Sequence, residues 1–217
     1  RFRDIGYTVK SKILYASDFG VPQRRNRLFI VGNRNGIDFE FPKEFDYSVS
    51  VDEAISDLPV LGNGEIQMKG EYTVPFEQAS PYAQLMRKKS KAPTQNIVSR
   101  NKDYVVERYK YIGQGENWSS IPDRLMENYA DKKRCHSGIY KRLIGGKPSV
   151  VISNYRKSML IHPHQDRGLS VREAARLQSF PDHFIFEGPV SYVQQQIGNA
   201  VPPLLAKAVM KKILTYK

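Results

Sequence analysis

A five-residue stretch with three arginines holds the best candidates for chemistry. Gln23-Arg24-Arg25-Asn26-Arg27 follows a turn-forming segment at 18–22. Side chains at i and i+2 of an extended segment point the same way, so Arg25 and Arg27 are predicted to face one pocket. Arginine stays charged when desolvated, and its planar fork keeps its geometry. The pair could stabilise negative charge on a bound group, whereas Arg24 is expected to cap the strand or meet a phosphate.

A second candidate is the turn Gly198-Asn199-Ala200-Val201-Pro202-Pro203. A glycine lets backbone approach a ligand closely, and the small side chain of Ala200 leaves room beside it. The alternative is that these residues only form the turn before the last helix.

The cysteine and histidines point away from a metal or disulfide protein. Cys135 is the single cysteine, which excludes an internal disulfide framework and a cysteine-based zinc site and fits a reducing cytosol. It is predicted to be a small buried side chain. His162 and His164 flank a proline with no carboxylate arranged around them, so no metal site is expected.

Positive charge is concentrated in the middle of the chain. The net charge is +12, and residues 80–160 hold 17 Lys or Arg against 6 Asp or Glu. The corresponding counts are 10 against 12 for residues 1–79 and 7 against 4 for residues 161–217. This pattern favours a surface that binds a polyanion, with a lysine-rich face that only aids solubility as the alternative.

Two strands and a short helix are predicted near the amino end. Tyr7, Val9 and Ile13 share one parity, as on the buried side of a half-buried strand. The apolar run Leu28–Val31 is typical of a strand buried on both faces. Residues 51–58 fit a short helix with acidic residues in its first turn.

The carboxy-terminal part has clear helix signals. Ser170 and Glu173 fit a capping box, and the helix should run to about Gln178. A final helix should begin at Pro203 and bury Leu205 one turn before Val209. Residues 61–166 show weak periodicity, with lysines and arginines among tyrosines, a mixture that can hold phosphates and touch bases.

Three blocks in this order resemble the carboxy-terminal half of bacterial DNA cytosine-5 methyltransferases. Residues 22–27 look like the family's Gln-x-Arg-x-Arg motif. Residues 167–182 and 196–203 look like its last two conserved blocks. The long stretch before residue 167 occupies the place of the target recognition domain. The family's amino-terminal motifs, including the Pro-Cys-Gln nucleophile loop, are absent, so the chain looks cut from a longer protein.

The resemblance implies methyl transfer from S-adenosylmethionine to C5 of a cytosine flipped out of duplex DNA. The attacking cysteine would lie outside this chain, which alone should be inactive. Gln23, Arg25 and Arg27 take the catalytic positions, with Arg27 at O2 of the cytosine and Arg25 as support. The cofactor contacts fall on Gly198, Asn199, Ala200 and Val201. Arg167, Arg172 and Glu173 are expected to form a buried ion network without catalytic function.

The recognition region is expected to supply the DNA contacts. Residues 149–155 resemble a DNA-facing strand and loop, and residues 113–118 resemble a first recognition loop, in which Trp118 fits either the core or an interface. The candidate DNA-binding residues are Arg24, Gln114, Asn117, Ser153, Asn154, Tyr155 and Arg156.

The predicted fold class is α/β. Residues 1–60 and 167–217 should complete a Rossmann-like S-adenosylmethionine-dependent methyltransferase domain, and residues 61–166 should form an inserted, mostly irregular or β target recognition domain. The expected partners are duplex DNA and the amino-terminal half of the same enzyme, either as a missing segment or as a separate chain, without a membrane or metal. A cytoplasmic, nucleoid-associated enzyme of a bacterial restriction-modification or Dcm-like system is expected.

Two other functions remain open from the sequence. A non-catalytic, sequence-specific DNA-binding subunit would share the basic region but would not need the arginine motif or the turn at 198–203. A tRNA cytosine-5 methylase would share the motifs, although the long basic stretch favours DNA.

Overall fold

The chain begins with an antiparallel hairpin. Strand β1 (Thr8–Tyr15) pairs along its whole length with β2 (Asn26–Asn33) in the computed structural model. Both strands lie where the sequence predicts them. The structure describes residues 1–127, 137–153, 155 and 159–216.

One face of this hairpin, called the bare face below, is exposed, although the sequence predicted its apolar residues to be buried. Ile13, Leu28 and Ile30 are all more than half exposed, and Tyr15 lies beside them on the same face. Leu14, on the opposite face, is the buried residue of β1. The prediction that β2 is buried on both faces is therefore wrong for this chain, because no described element covers the second face.

The remaining elements follow in the order expected for a hairpin, a long middle region and a helical end. Strands β3 and β4 pair antiparallel in a separate two-stranded sheet. The bounds are α1 (Val51–Ile55), β3 (Ile66–Lys69), α2 (Pro81–Arg87), β4 (Thr94–Ile97), α3 (Asp103–Tyr109), α4 (Val171–Leu177), α5 (Val190–Asn199) and α6 (Pro203–Leu214).

Local signals explain where α1, α4 and α6 begin. Ser170 and Glu173 form the predicted capping box at α4. Ser50 and Glu53 form a second capping box at α1, which was not predicted. Helix α6 has a proline in its first turn and buries Leu205 and Val209. Helices α2, α3 and α5 were not predicted. Helices α2 and α3 lie in the middle region, most of whose described residues are in neither helix nor strand.

Three hydrophobic clusters support the fold. The main cluster surrounds α4, all seven residues of which are buried, and includes Ile152, Tyr155 and Leu160 from the middle region. A second cluster lies within the middle region around Tyr109 and Tyr140. The third packs α6 against the Leu14 face of the hairpin. Since the middle region contributes to the main cluster, the boundaries at 60 and 166 remain a proposal.

Buried ion pairs hold α4 in place. Arg167 donates to both carboxylate oxygens of Glu173 at 2.6 and 2.9 Å. Burial opposes the charged form of Glu173, yet Arg167 holds the pKa of that carboxyl at about 2. Arg172 does not join this pair as predicted, because its guanidinium donates mainly to backbone carbonyls.

A second buried network was not predicted. Arg176 donates two hydrogen bonds to Asp182, at 2.6 and 2.7 Å, and two to Asp57, at 3.0 and 3.3 Å. All three side chains are almost completely buried. Burial disfavours the charged form of Arg176, but the two carboxylates raise its pKa above the ordinary value. The network ties α1 to α4 and to the segment that follows α4.

The described residues contain neither a membrane-spanning helix nor a candidate metal site. None of the described helices combines the length and apolar character needed to cross a bilayer. The described residues also contain no group of three metal-ligating side chains.

Candidate active site and nucleic-acid interface

Gln23 is a buried connector between three segments. Its side chain is fully buried and accepts a hydrogen bond from the Ile152 amide at 2.9 Å. Its amide group donates to the Leu177 carbonyl at 3.2 Å and to Gln178 at 2.8 Å. A side chain whose amide is used in this way cannot reach a substrate. The predicted catalytic role of Gln23 is therefore corrected to a positioning role.

Arg25 fastens the middle region to the turn at 198. Its guanidinium donates to the Ile152 carbonyl at 3.2 Å and to the Gly198 carbonyl at 2.7 Å. The residue is 2% exposed. Arg25 thus joins the backbone of two distant segments, and its predicted support of the catalytic site stays a prediction.

Gly198 is required by a close backbone contact. A Cβ atom at this position would overlap the Ser153 carbonyl oxygen and lie 2.7 Å from its carbonyl carbon. Gly198 is buried, and its carbonyl accepts from Arg25. It is therefore the contact point between the turn and residues 152–153, which corrects its predicted direct cofactor contact. The sequence marked the glycine but not the backbone that approaches it.

Arg27, unlike Arg25, has a guanidinium that could bind an incoming group. It lies at the start of β2, opposite Leu14, and its side chain is half-buried. Its Nη1 donates a hydrogen bond to the neighbouring Asn26 carbonyl at 2.7 Å. Within the described residues it has no ion-pair partner, so its charge can serve an incoming group.

The last residue of α5, Asn199, and the turn that follows it hold three of the four predicted cofactor residues. Asn199 and Val201 are exposed and Ala200 is half-buried. Pro202, which follows, is buried and begins the approach to α6. The turn therefore has a fixed base and an open surface, an arrangement that can contact a ligand.

The predicted DNA loop at 153–156 is divided by the structure. Ser153 is exposed next to the Gly198 contact, as a DNA-contacting residue should be. Tyr155 is 2% exposed and packs in the main core, which corrects its predicted DNA contact. Burial raises the pKa of its hydroxyl, beside Gln194. Asn154 and Arg156 lie outside the described residues.

The first predicted recognition loop is held by its own side chains. Asn117 caps a 3₁₀ turn through the Ser119 amide at 3.0 Å and donates to the Ser137 carbonyl at 3.1 Å. Its amide therefore shapes the loop in this structure. Trp118 is half-buried and packs against the second cluster, which favours the core interpretation.

Arg24 is exposed, and its backbone amide donates to the Ser149 carbonyl at 2.8 Å.

Gln114 belongs to a polar cluster that the sequence did not indicate. Its amide nitrogen lies 3.3 Å from Nδ1 of His164, and its amide oxygen accepts from the Gly145 amide at 3.0 Å. Nε2 of His164 lies 2.8 Å from Asp52 on α1. The expectation that no carboxylate approaches these histidines is wrong, because His162 also lies 3.8 Å from Glu173. Burial lowers the pKa of His162 to about 4.

Taken together, the clamp (Gln23, Arg25, Ile152, Ser153 and Gly198) brings the predicted segments 22–27, 149–155 and 196–203 to one place. Three features lie next to the clamp: the guanidinium of Arg27, the exposed Ser153 and the turn at 199–201. The charge of Arg27 can stabilise an anionic group, and the open turn can contact a second ligand. Such a site suits two substrates that must meet in a fixed geometry.

Comparisons with known proteins show what the chain is similar to. The family model described as C-5 cytosine-specific DNA methylase matches residues 1–215. The chain is 35% identical over 216 residues to the type II methyltransferase M1.HphI of Haemophilus parahaemolyticus, which covers 99% of the chain and 50% of that protein. It is 34% identical over 236 residues to M.DdeI of Desulfomicrobium norvegicum, with 99% and 56% covered.

A solved structure gives the fold. The chain superposes with a TM-score of 0.68 on an Escherichia coli protein solved as a prophage-encoded DNA modification methyltransferase, at 24% identity. The match covers 98% of this chain and 61% of that one. The chain spans about half the length of the curated relatives that it matches.

Proposed function

The chain belongs to the C-5 cytosine-specific DNA methylase family, and we propose that it is the carboxy-terminal part of a DNA cytosine-5 methyltransferase. It reads a specific duplex sequence and completes the active site in which a flipped cytosine is methylated at C5. The nucleophilic cysteine belongs to the part of the enzyme outside this chain. The curated relatives named as type II methyltransferases support a bacterial restriction-modification or Dcm-like setting.

Arg27 carries this proposal. Attack on C6 of cytosine moves negative charge towards the ring carbonyl O2, and a preorganised donor at that oxygen lowers the barrier by several kcal/mol. Arg27 is a half-buried guanidinium that no described carboxylate neutralises. Its backbone is fixed by the β1–β2 pairing, and Arg25, two residues away, is fixed by its buried bonds. The charge therefore needs little reorganisation when substrate binds.

The methyl donor fits the turn after Gly198. Asn199, Ala200 and Val201 would hold part of S-adenosylmethionine, which supplies the methyl group when bound. Their surface is open, and the carbonyl before them is anchored by Arg25. The same anchor places Ser153, on the recognition side, against the turn.

Duplex DNA is the proposed polyanion. Ser153, Arg24 and Gln114 are exposed, and the excess of positive charge in residues 80–160 supplies the electrostatic attraction to phosphates. Asn154 and Arg156 stay predictions as DNA contacts. Asn117 would act mainly by shaping its loop.

The bare hairpin face is the proposed contact for the rest of the enzyme. Ile13, Tyr15, Leu28 and Ile30 form an exposed apolar surface on one side of β1 and β2. Contiguous apolar surface of this kind marks an interaction site. The relatives are about twice as long as this chain, so their additional half is the natural partner for this face.

The deciding experiment measures methyl transfer from labelled S-adenosylmethionine to duplex DNA. The chain alone should be inactive, and joining it with the amino-terminal segment of the same enzyme should give activity. In that assembly Arg27→Ala should lower kcat by about 10²- to 10³-fold while duplex binding is retained. Arg34→Ala is the matched control, because Arg34 is exposed and packs over the Tyr7 ring.

Other outcomes would identify the alternative functions. An inactive assembly that still binds duplex DNA in a salt-sensitive manner would support a non-catalytic reader. Preference for a structured RNA over duplex DNA at matched salt would support a tRNA methylase. Full activity of the Arg27→Ala assembly would remove Arg27 from the chemistry.

A further inference from the structure

A lysine-rimmed apolar groove runs along α6, away from the clamp. It consists of two adjoining hollows of about 420 and 380 Å³ that share Phe45, Ala208 and Lys211. The first lies between α6, α2 and the segment at 45–49, and the second continues towards Thr215. We call the two hollows together the α6 groove.

The floor of the α6 groove is apolar and rigid. Phe19, Val49 and Tyr82 are buried beneath it. Phe45 stacks on Tyr47 with ring centroids 5.3 Å apart and planes at 14°. Three apolar side chains nevertheless stay at least 45% exposed along its edge, where nothing described covers them: Phe45, Tyr47 and Leu85.

The rim of the groove is positively charged. Four lysines and one carboxylate line the two hollows. Within the described residues, Lys207 and Lys211 have no carboxylate at ion-pair distance, whereas Lys212 lies 3.9 Å from Glu40. Apolar walls beneath unneutralised lysines suit an occupant with apolar anchors and acidic flanks. The charged lining residues are Lys43, Glu53, Lys207, Lys211 and Lys212.

The spacing of the hollows specifies the shape of the occupant. On α6 the first hollow is lined from Leu204 to Lys211 and the second from Ala208 to Thr215. The offset is four residues, which is about 6 Å along a helix. Side chains at i and i+4 of a docked helix have this separation, and helix-in-groove recognition uses such anchors.

The groove is separate from the proposed contact for the other half of the enzyme. Helix α6 packs on the hairpin face that carries Leu14 and Phe29, whereas the bare face carries Ile13 and Leu28. The two surfaces lie on opposite sides of the hairpin. We propose that the α6 groove binds an acidic amphipathic helix supplied by a separate polypeptide, with two apolar anchors one turn apart.

A labelled synthetic peptide tests this proposal without any methylation assay. The probe is a 14-residue helix-forming peptide with leucines at i and i+4 and glutamates on either side, titrated with the chain by fluorescence anisotropy. Saturable binding that weakens as salt increases is expected. A scrambled peptide of the same composition and one with lysine for glutamate should bind at least about tenfold more weakly, a difference of 1.4 kcal/mol.

Variants of the chain locate the binding. Lys207→Glu combined with Lys211→Glu should weaken the acidic peptide about tenfold or more, and Leu85→Glu should also weaken it. Lys69→Glu combined with Lys91→Glu is the matched control, because these exposed lysines line a different hollow. Circular dichroism and thermal unfolding check that each variant folds.

Several results would overturn the proposal. Equal binding of the scrambled peptide, or equal loss in the two double variants, would show attraction to net positive charge alone. A dimer in sedimentation that Leu85→Glu dissolves would assign the groove to a second copy. Loss of peptide binding on adding the amino-terminal half would assign the groove to that half.

Discussion

Adding one methyl group at Gly198 should separate the recognition segment from the cofactor turn. In Gly198→Ala the new Cβ would overlap the Ser153 carbonyl oxygen and lie 2.7 Å from its carbonyl carbon. The obstacle is backbone on both sides, so no side-chain rotation can relieve it. Either Ser153 or the turn must move, and the hydrogen bond from Arg25 to the Gly198 carbonyl must lengthen.

The cost can be estimated from these contacts. Forcing an extra carbon into a packed site costs about 1–3 kcal/mol. Losing a buried hydrogen bond from a charged donor costs about 1.5–3 kcal/mol. The free energy of unfolding should therefore fall by about 2.5–6 kcal/mol. For a chain of this size, a fall of about 3 kcal/mol lowers Tm by roughly 6–12 °C.

Thermal and urea unfolding of the isolated chain measure this effect directly. Gly146→Ala is the matched control, because a Cβ at that position meets nothing within 4 Å and its backbone is not left-handed. That variant should match the parent or gain a few tenths of a kcal/mol. In the assembled enzyme, Gly198→Ala should also weaken both methyl-donor and DNA binding. Equal unfolding free energies for the two variants would refute the close-contact reasoning.

Two further predictions concern the buried ionisable groups. Asp182→Asn should lower the free energy of unfolding by about 3 kcal/mol or more, because Arg176 would keep a buried charge with a weaker partner; an unchanged urea midpoint would contradict this. Burial lowers the pKa of His162 to about 4 from 6.5, so the associated stability is present above pH 6.5 and is lost as pH falls towards 4. In His162→Gln the free energy of unfolding should depend less on pH between 6.5 and 4.5. Below pH 4.5 it should still fall, because Glu173, with its pKa of about 2, begins to lose its contribution to stability there. A dependence on pH identical to that of the parent would contradict this.

Elements with strong local signals were predictable from the sequence. The capping boxes at Ser50 and Ser170 and the proline at the start of α6 fix helix starts through neighbouring residues. Helix α5 was missed because its segment is rich in glutamine and buries few apolar side chains, mainly Val193 and Ile197. Its position depends on packing against α4, which a single sequence does not encode locally.

The candidate site was predicted as a set of residues but not as an arrangement. Gln23, Arg25 and Gly198 were identified as functional, yet their partners lie more than 120 positions away along the chain. Arg25 is buried and Arg27 is available because the carbonyls that bind a guanidinium, those of Ile152 and Gly198, lie beside Arg25. Tyr155 was predicted to contact DNA because residues 149–155 resemble a DNA-facing strand and loop. Its burial, which depends on the packing of the main cluster, was not evident from that resemblance.

The clamp would connect recognition with chemistry in the proposed function. Ser153 lies next to Ile152 and Asn199 next to Gly198, and the single buried guanidinium of Arg25 donates to the Ile152 and Gly198 carbonyls. A displacement of either segment would strain a bond to Arg25 that is too buried for water to replace. If the proposed ligands bind these two segments, correct placement of the DNA segment favours correct placement of the methyl-donor turn. The reverse effect must then have the same size, because coupling free energies are reciprocal.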